Sequence, residues 1–248
     1  MGLDEPIPSL GRIRLETVDV RTWSAAQPAI ATLNALNACF PWSHNDHFHG
    51  WILADLPPRR FRALDVGCGQ GELAAKLAES FEEVDAADCD PAMRTRTKAR
   101  CAGLSNVTVI DDFAAATGTY DLITMIAVLH HLDLVSSLTR CAELLTSGGR
   151  LRIVGLARPE TIEDNLWRGA SAIANPIMGI LHNPIPTWTP APTPPFPVQE
   201  PEETFDQISL AAHRILPGSR IRRRIPFRYS LSWTKPGLPD GERHLRAR

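Results

Sequence analysis

The sequence lacks the paired cysteines that build a disulfide framework or a thiolate zinc site. Its five cysteines are odd in number, widely scattered and without a C-x-x-C pair: Cys39, Cys68, Cys89, Cys101 and Cys141. Disulfide scaffolds and zinc modules place their cysteines in sets at short, regular spacings. We therefore expect reduced cysteines and no metal site.

The sequence also lacks a long hydrophobic run. The longest apolar stretch, Leu122 to Leu129, is interrupted by Thr124 and is far too short to span a bilayer. The opening "MGLDEPIPSLGRIRLE" has no charged segment followed by an apolar core, as a secretory signal would have. Pro6 occupies the position where a myristoylation motif requires Ser or Thr. These absences predict a cytoplasmic protein without a membrane partner.

The sequence has no large excess of positive or negative charge. The formal net charge is -2 and the sequence pI is about 6.4, so the chain as a whole does not attract a phosphate backbone. Hydrophobic residues make up 44% and charged residues 22%, which is typical of a soluble globular protein. A chain of 248 residues can bury one sizeable core. We expect one domain of catalytic size, monomeric or homodimeric, without a nucleic-acid partner.

From Arg62 onward, short strand-like runs alternate with helical patterns. The strand-like runs are "RALDV", "EVDAAD", "NVTVI", "YDLITMIAV" and "GRLRIVGLA". The helical segments are "GELAAKLAESF", "PAMRTRTKARCAG" and "LVSSLTRCAELL", with Pro91 at a helix start and "SGG" at 147–149 as a turn into the next strand. This alternation is typical of βαβ units with right-handed crossovers. It predicts an α/β fold with a largely parallel sheet.

Different patterns flank this core. We predict an arm and helical cap over residues 1–56, with helices at Trp23–Leu36 and Asp46–Leu56, the second stopped by Pro57 and Pro58. The core then covers residues 57–235 and the tail 236–248. An insertion at about 158–203 begins with an amphipathic helix, kinked or ended near Pro176, whose apolar positions are Leu166, Ala170, Ile173 and Ile177.

The end of the core predicts two strands around Pro226, in "SRIRRRIPFRYSLSWTKP". Five arginines lie in this segment: Arg220, Arg222, Arg223, Arg224 and Arg228. Side chains alternate along a strand, so only some of them share a face, and charge often protects an edge strand. We favour a solvated edge over a phosphate or nucleic-acid site.

Three glycines follow the first strand at every second position, in "LDVGCGQGE". Gly67, Gly69 and Gly71 permit a tight turn and a close approach of a ligand to the backbone, and a helix start offers free N–H groups. The loop therefore predicts a carboxylate or phosphate ligand. The alternative is a strand-to-helix turn that binds nothing.

Acidic residues follow the next two strands. Asp88, about 20 residues beyond the glycines, could accept both hydroxyls of a ribose, whereas Asp90 before Pro91 fits a helix N-cap better. Asp111 and Asp112, followed by Phe113, suit an adenine held by an acceptor and an apolar face. Three strand ends thus indicate one nucleoside site.

The segments "LDVGCGQGE", "AADCDPAM", "VIDDF", "YDLITMIAVLHHL" and "LLTSGGRLRIV" resemble, in order and spacing, the motifs of class I S-adenosylmethionine-dependent methyltransferases. The similarity covers residues 62–157 and is strongest to the small-molecule branch related to ubiquinone and menaquinone C-methyltransferases. It implies a Rossmann-like seven-stranded, mostly parallel sheet with helices on both faces, an antiparallel C-terminal strand and an N-terminal helical cap.

The same resemblance implies S-adenosylmethionine as cofactor and S-adenosylhomocysteine as product. It places the methionine part of the cofactor beside Asp65 and the three loop glycines, its ribose at Asp88, and its adenine at Phe113 with either Asp111 or Asp112. The resemblance also implies methyl transfer to a small organic acceptor, in specialised-metabolite or quinone-like biosynthesis.

Two histidines follow the fourth strand, where the family's substrate meets the methyl group. His131 is the first candidate for a catalytic base and His130 the second, because a phenol with a pKa near 10 needs a base, whereas an amine or activated carbon needs only orientation. The alternative is that one of them caps a helix.

A further histidine group is His44, His47 and His49. It resembles an N-terminal "HNxxYH" segment that closes over the cofactor in related sequences, with Phe48 replacing the tyrosine, and His49 is the third catalytic candidate. The alternatives are a polar loop and a metal site, for which the spacing lacks a recognised ligand framework.

The insertion supplies four candidate substrate-binding residues: Trp167, Met178, Trp188 and Phe196. They could form apolar walls of a pocket, or a satellite core under a long loop.

Three other hypotheses stay open from the sequence. The fold can host a non-methylation reaction such as cyclisation or decarboxylation, or serve as a non-catalytic partner subunit. A nicotinamide dehydrogenase is disfavoured, since its glycine spacing is G-x-G-x-x-G.

Overall fold

The computed structural model describes residues 27–40, 45–182, 184–186, 200–225 and 227–237. The predictions for the arm before residue 27, for His44, Trp188 and Phe196, and for the tail beyond residue 237 lie outside these ranges.

The core is a seven-stranded sheet with the order β3-β2-β1-β4-β5-β7-β6. The strands are β1 Arg62–Val66, β2 Glu83–Ala87, β3 Val107–Ile110, β4 Tyr120–Ile126, β5 Leu145–Gly155, β6 Arg220–Arg224 and β7 Arg228–Thr234. The first five strands pair in parallel, whereas β7 is antiparallel to both neighbours. The Rossmann-like fold and the antiparallel C-terminal strand are confirmed.

Two helices precede β1, and the others lie in the connections between strands. They are α1 Gln27–Cys39, α2 His49–Leu53, α3 Glu72–Ala78, α4 Pro91–Arg100, α5 Leu134–Leu144, α6 Ile162–His182 and α7 Phe205–Ile215, with 3-10 turns at Asp46–Phe48 and Leu129–His131. Asp90 caps α4 by accepting a bond from the Ala92 N–H, as the sequence predicts. Within the described residues, no helix is long and apolar enough to cross a membrane.

Two hydrophobic clusters lie on opposite faces of the sheet, because successive residues of a strand point to opposite sides. In β1, Leu64 belongs to the cluster under α5 and α7, and Ala63 belongs to the cluster under α3. Ile52 of α2 is fully buried in the second cluster. The segment from Asn45 to Leu53 is therefore docked on the sheet beside α3, and α1 packs against α6.

Two local predictions are wrong. The strand predicted to begin after "SGG" begins at Leu145, because β5 includes those residues in an irregular stretch with Gly148 at φ 78. The amphipathic helix predicted in the insertion is present as α6, and its apolar positions are largely exposed, at 68% for Leu166, 62% for Ile173 and 54% for Ile177. The helix also continues through Pro176 to His182.

Candidate functional site

The residues predicted to bind the cofactor lie along one edge of the sheet. Val66, Ala87 and Ile110 are the last residues of β1, β2 and β3, and they are register partners across the sheet. Gly67, Asp88 and Asp111 therefore leave the sheet at the same level. The carboxyl ends of parallel strands are where open α/β sheets bind ligands.

The glycine loop is fixed to the end of β2 by backbone hydrogen bonds. The N–H groups of Gly67 and Cys68 donate to the carbonyl of Ala87 at 2.7 Å and 3.0 Å. A Cβ atom added at Gly67, where φ is 68°, would lie 2.0 Å from Cγ2 of Val128. At Gly69, where φ is 55°, it would meet no atom within 4 Å. Gly67 is thus required by packing, whereas Gly69 faces open space.

Asp88 joins the glycine loop to the start of α4. Its Oδ2 accepts the Gly69 N–H at 2.9 Å, and its Oδ1 accepts the Asp90 N–H at 2.9 Å. Each carboxylate oxygen has a second lone pair, so both remain able to accept a further hydrogen bond. The half-buried carboxylate is therefore positioned at the open surface beside Gly69.

Two residues of α4 stabilise this arrangement and were not predicted. The hydroxyl of Thr97 donates to the Gly69 carbonyl at 2.8 Å. The guanidinium of Arg94 donates to the carbonyls of Asp88 and Asp111, which joins the ends of β2 and β3. Their three-residue spacing on one helix face is a signal that the sequence contains, but it does not identify which loops they contact.

The three residues after β3, Asp111, Asp112 and Phe113, differ in how far their side chains are exposed. The Asp111 side chain is 84% exposed and lies 3.4 Å from Nε of Arg94. Oδ1 of Asp112 accepts the Ala115 N–H, and its side chain is exposed. Phe113 is 9% exposed, belongs to the core cluster and packs under the guanidinium of Arg140. Either acidic residue is accessible at this edge, whereas the Phe113 ring is mostly occupied by core contacts.

Asp65 lies below the glycine loop and not on its open surface. Its side chain is 3% exposed, and its Oδ1 accepts the Thr124 hydroxyl at 2.8 Å. Burial raises the pKa of Asp65 to about 7, with a smaller contribution from the negative charge of Asp88. The hydroxyl of Thr124, on the neighbouring strand, is a contact that only the β1–β4 register reveals.

The two histidines after β4 follow a strained residue. Ala127 has φ 57°, a left-handed conformation that is unfavourable for a residue with a Cβ, and its N–H donates to Val154. The rings of His130 and His131 are 4.1 Å apart. Nδ1 of His130 is buried without a hydrogen-bond partner in the described chain, and His131 is exposed. Asp133, and not a histidine, caps α5.

Burial lowers the pKa of His130 to about 4, and the positive charges of His131 and Arg228 act in the same direction. His130 is therefore neutral near pH 7 and a weak base, since efficient general bases have pKa values near the working pH. Of the two, His131 fits the role of a base better.

The His49 side chain is held in place by a contact with Lys76. Its Nδ1 lies 3.0 Å from the ammonium of Lys76, and its ring is 5% exposed. Burial and the Lys76 charge lower the pKa of His49 to about 4. A histidine that accepts a bond from an ammonium group is a poor base and a poor metal ligand. His47 is exposed, with its ring edge against Phe48.

A cavity of about 300 Å³ lies beside this edge, between α6, the loop after β5 and the β6–β7 hairpin. Trp167, one of the predicted substrate-binding residues, lines it. Met178 lies three helical turns further along α6, half-buried and outside the lining of this cavity. The two other candidates, Trp188 and Phe196, fall outside the described residues.

The arginine run is only in part a solvated edge. Arg220 and Arg222 are exposed, as predicted. Arg223 instead pairs with Glu163 and Asp164 and lies over the Phe205 ring at 4.0 Å. Arg228 is half-buried, and its Nε is buried. The prediction is wrong for these two residues, because α6 and α7 cover one side of the hairpin.

Comparisons with known sequences match this chain to methyltransferases. A family model described as a methyltransferase domain matches residues 64–151. An uncharacterized methyltransferase of Mycobacterium tuberculosis (strain ATCC 25618 / H37Rv) is 30% identical over 204 residues, which cover 79% of this chain and 98% of that relative. A ubiquinone biosynthesis O-methyltransferase of Xanthomonas axonopodis pv. citri (strain 306) is 33% identical over 115 residues, or 44% of this chain and 48% of that protein.

Solved structures share the fold at low sequence identity. A SAM-dependent methyltransferase from Aquifex aeolicus has a TM-score of 0.50 and 16% identity, with 83% of this chain and 97% of that chain covered. Magnesium protoporphyrin IX methyltransferase from Synechocystis PCC 6803 with bound SAH has a TM-score of 0.49 and 18% identity, with 83% of this chain and 84% of that chain covered.

Proposed function

Because this chain belongs to the family of S-adenosylmethionine-dependent methyltransferases, we propose that it transfers a methyl group to a small organic acceptor. The setting we propose is specialised-metabolite or quinone-like biosynthesis in the cytoplasm. The similarity of residues within the core to a ubiquinone biosynthesis O-methyltransferase supports that setting. The atom that receives the methyl group stays open between oxygen, nitrogen and carbon.

The observation that carries this proposal is the junction of Asp88 and Gly69 at the edge where three strands end. In our proposal the open backbone at Gly69 receives the methionine part of the cofactor, and Asp88 accepts the ribose hydroxyls. Asp111 or Asp112 accepts from the adenine amino group. Asp65 supports the loop from below, because its carboxyl group is already bonded to Thr124.

When bound, S-adenosylmethionine supplies a methyl group that is already electrophilic. The task of the protein is then to hold the acceptor in line with that group, and positioning of this kind is worth about 7–11 kcal/mol. His131, exposed at the end of β4, would remove a proton from a phenolic acceptor. His130 is neutral near pH 7 and would contribute a hydrogen bond instead.

Calorimetry with S-adenosylmethionine, S-adenosylhomocysteine and NAD tests the cofactor assignment. We expect both sulfur compounds to bind and NAD not to bind. Binding of NAD alone, or of none of the three, would contradict the proposal.

Turnover tests the assignment of the base. S-adenosylhomocysteine release is measured with a panel of phenols, amines and carboxylic acids. If a phenol is the acceptor, His131→Gln should lower kcat while leaving cofactor affinity unchanged. An unchanged kcat with that acceptor would remove His131 as the base.

A further inference from the structure

The cavity of about 300 Å³ is an independent feature next to the cofactor edge. It borders the end of β5, since Tyr229 of the cavity wall pairs with Gly155 across the sheet. Aromatic rings of Trp167, Phe205 and Tyr229 form much of its wall. Its volume is at the lower end of the range for small-molecule sites, so it fits a compact molecule with an apolar or aromatic body.

One arginine of this cavity has neither an ion pair nor a side-chain hydrogen bond among the described residues. Arg228 lines the cavity, and its buried Nε has no hydrogen-bond partner. Among the described residues, no carboxylate forms an ion pair with it. Burial lowers the pKa of Arg228 to about 10, so it stays protonated near pH 7. A buried cation without a partner is costly, and proteins normally pair such a group.

The two other arginines of the cavity wall already have partners. Arg223 pairs with Glu163 and Asp164, and Nε of Arg224 donates to the Ser230 hydroxyl at 2.9 Å. Of the three, Arg228 has neither an ion pair nor a side-chain hydrogen bond among the described residues. Since it follows the hairpin turn directly after Phe227, its guanidinium is carried by a strand of the sheet and not by a mobile chain end.

A second unpartnered polar group lies within electrostatic range of Arg228. Nδ1 of His130 is buried and lacks a hydrogen-bond partner in the described chain. The Arg228 charge contributes to lowering the pKa of His130, which requires the two groups to be near each other. The unpartnered cation and the unpartnered imidazole nitrogen are thus within electrostatic range of each other.

We propose that this cavity binds the acceptor through a carboxylate, with the Arg228 guanidinium as its anchor and the aromatic wall around its apolar body. The inference rests on the proposed methyl transfer and adds the chemical class of the acceptor. A carboxylate fits better than a phosphate because Asp164 and Glu200 also line the cavity, and their charges repel a dianion about twice as strongly as a monoanion. A guanidinium matches a carboxylate with two parallel hydrogen bonds.

Ligand binding to the full chain, saturated with S-adenosylhomocysteine, tests the inference. The probes are benzoate, 4-hydroxybenzoate and indole-3-acetate, each beside its carboxamide, with phenyl phosphate beside benzoate. We expect at least one carboxylate to bind about tenfold or more tightly than its amide. Arg228→Met should abolish that preference, and Arg228→Lys should retain part of it. Arg220→Met, an exposed arginine on the same hairpin, should leave it unchanged.

Three results would overturn the inference. They are the absence of any carboxylate preference in the wild type, the same preference in Arg228→Met, and tenfold tighter, Arg228-dependent binding of phenyl phosphate over benzoate. Thermal unfolding separates a binding role from a structural one, because removing an unpaired buried charge should leave the melting temperature of Arg228→Met equal or higher. A fall of several degrees relative to Arg220→Met would assign Arg228 to the fold and contradict the inference.

Cofactor affinity distinguishes the two levels of the proposal. If S-adenosylhomocysteine binds the wild type and Arg228→Met equally while carboxylate selectivity does not depend on Arg228, only the acceptor class is wrong. If S-adenosylhomocysteine does not bind the wild type, the proposed function itself fails.

Discussion

The backbone N–H of Gly69 donates a 2.9 Å hydrogen bond to Oδ2 of Asp88, and this bond joins the loops that follow β1 and β2. The aspartate therefore holds the loop in place and presents its remaining lone pairs to the same open surface. A single carboxylate connects the local fold to the proposed ribose site.

The Asp88 carboxylate should dominate cofactor affinity. Asp88→Asn keeps one acceptor oxygen but replaces the other with a donor, so it loses a charge-assisted hydrogen bond. We expect S-adenosylhomocysteine to bind at least tenfold more weakly by calorimetry, in line with about 1.5–3 kcal/mol for such a bond. Glu82→Gln, an exposed carboxylate at the opposite end of β2, is the control. Equal affinities of the two variants would refute the ribose assignment.

Alanine substitutions at two glycines of the loop should separate an effect on stability from an effect on cofactor binding. Gly67→Ala places a methyl group 2.0 Å from Val128 at positive φ, so it should lower the free energy of unfolding by about 2–5 kcal/mol. Gly69→Ala meets no protein atom within 4 Å and should cost only about 1–2 kcal/mol, but its methyl group occupies the open side of the loop.

Urea denaturation and calorimetry measure both effects. Gly69→Ala should retain the fold and lose cofactor affinity out of proportion to its stability. A Gly69→Ala variant with wild-type affinity would mean that the ligand does not approach the backbone there.

The buried carboxyl group of Asp65 should make stability depend on pH. Its pKa is raised from the ordinary value of 3.8 to about 7, so the folded state binds a proton that the unfolded chain has lost over that interval. The stability contribution of Asp65 therefore falls as the pH rises from about 4 to about 7. The free energy of unfolding of Asp65→Asn, relative to the wild type, should therefore increase from pH 5 to pH 8, by at most about 1.4 kcal/mol per pH unit.

Urea denaturation at the two pH values checks this, with Asp133→Asn as the control. The pKa of Asp133 is lowered by hydrogen bonds from Ser136, so its ionisation should not change between pH 5 and pH 8. An Asp65→Asn difference that is equal at both pH values would contradict the raised pKa.

A buried network at the opposite edge of the sheet should affect stability alone. The Tyr120 hydroxyl donates to Asp85 at 2.6 Å, and the same oxygen accepts from Arg62 at 2.7 Å. Tyr120→Phe should cost about 1.5–3 kcal/mol of unfolding free energy, because it removes a buried hydrogen bond to a charged group. Affinity for S-adenosylhomocysteine should not change.

Tyr229→Phe is the matched control for that substitution. The Tyr229 hydroxyl has no hydrogen-bond partner in the part of the chain that the structure describes, so its removal should cost less than about 1 kcal/mol. If both variants lost the same stability, the Asp85 bond would not be the cause of the Tyr120 effect.

Much of the sheet and of the cofactor edge was predictable because its signals are local. The strands of the core, the Asp90 cap and the Rossmann-like topology follow from hydrophobic periodicity and helix-start residues. The helix α6 was also predicted, but the exposure of its apolar positions could not be, since a 3.6-residue period indicates a helix with one apolar side and not whether a partner covers that side.

By itself, the sequence determined the βαβ order and the three strand ends that bring Gly69, Asp88 and Asp111 to one edge, because turn chemistry and periodicity act over a few residues. Only the tertiary structure decided that Asp65 is buried below the loop, that Lys76 contacts Nδ1 of His49, and that the buried Nε of Arg228 has no partner. Burial and ion pairing depend on which distant segments pack together. Asp65 is buried by the pairing of β1 with β4, His49 meets Lys76 where α2 lies beside α3, and Arg228 lies where α6 and α7 meet the β6–β7 hairpin.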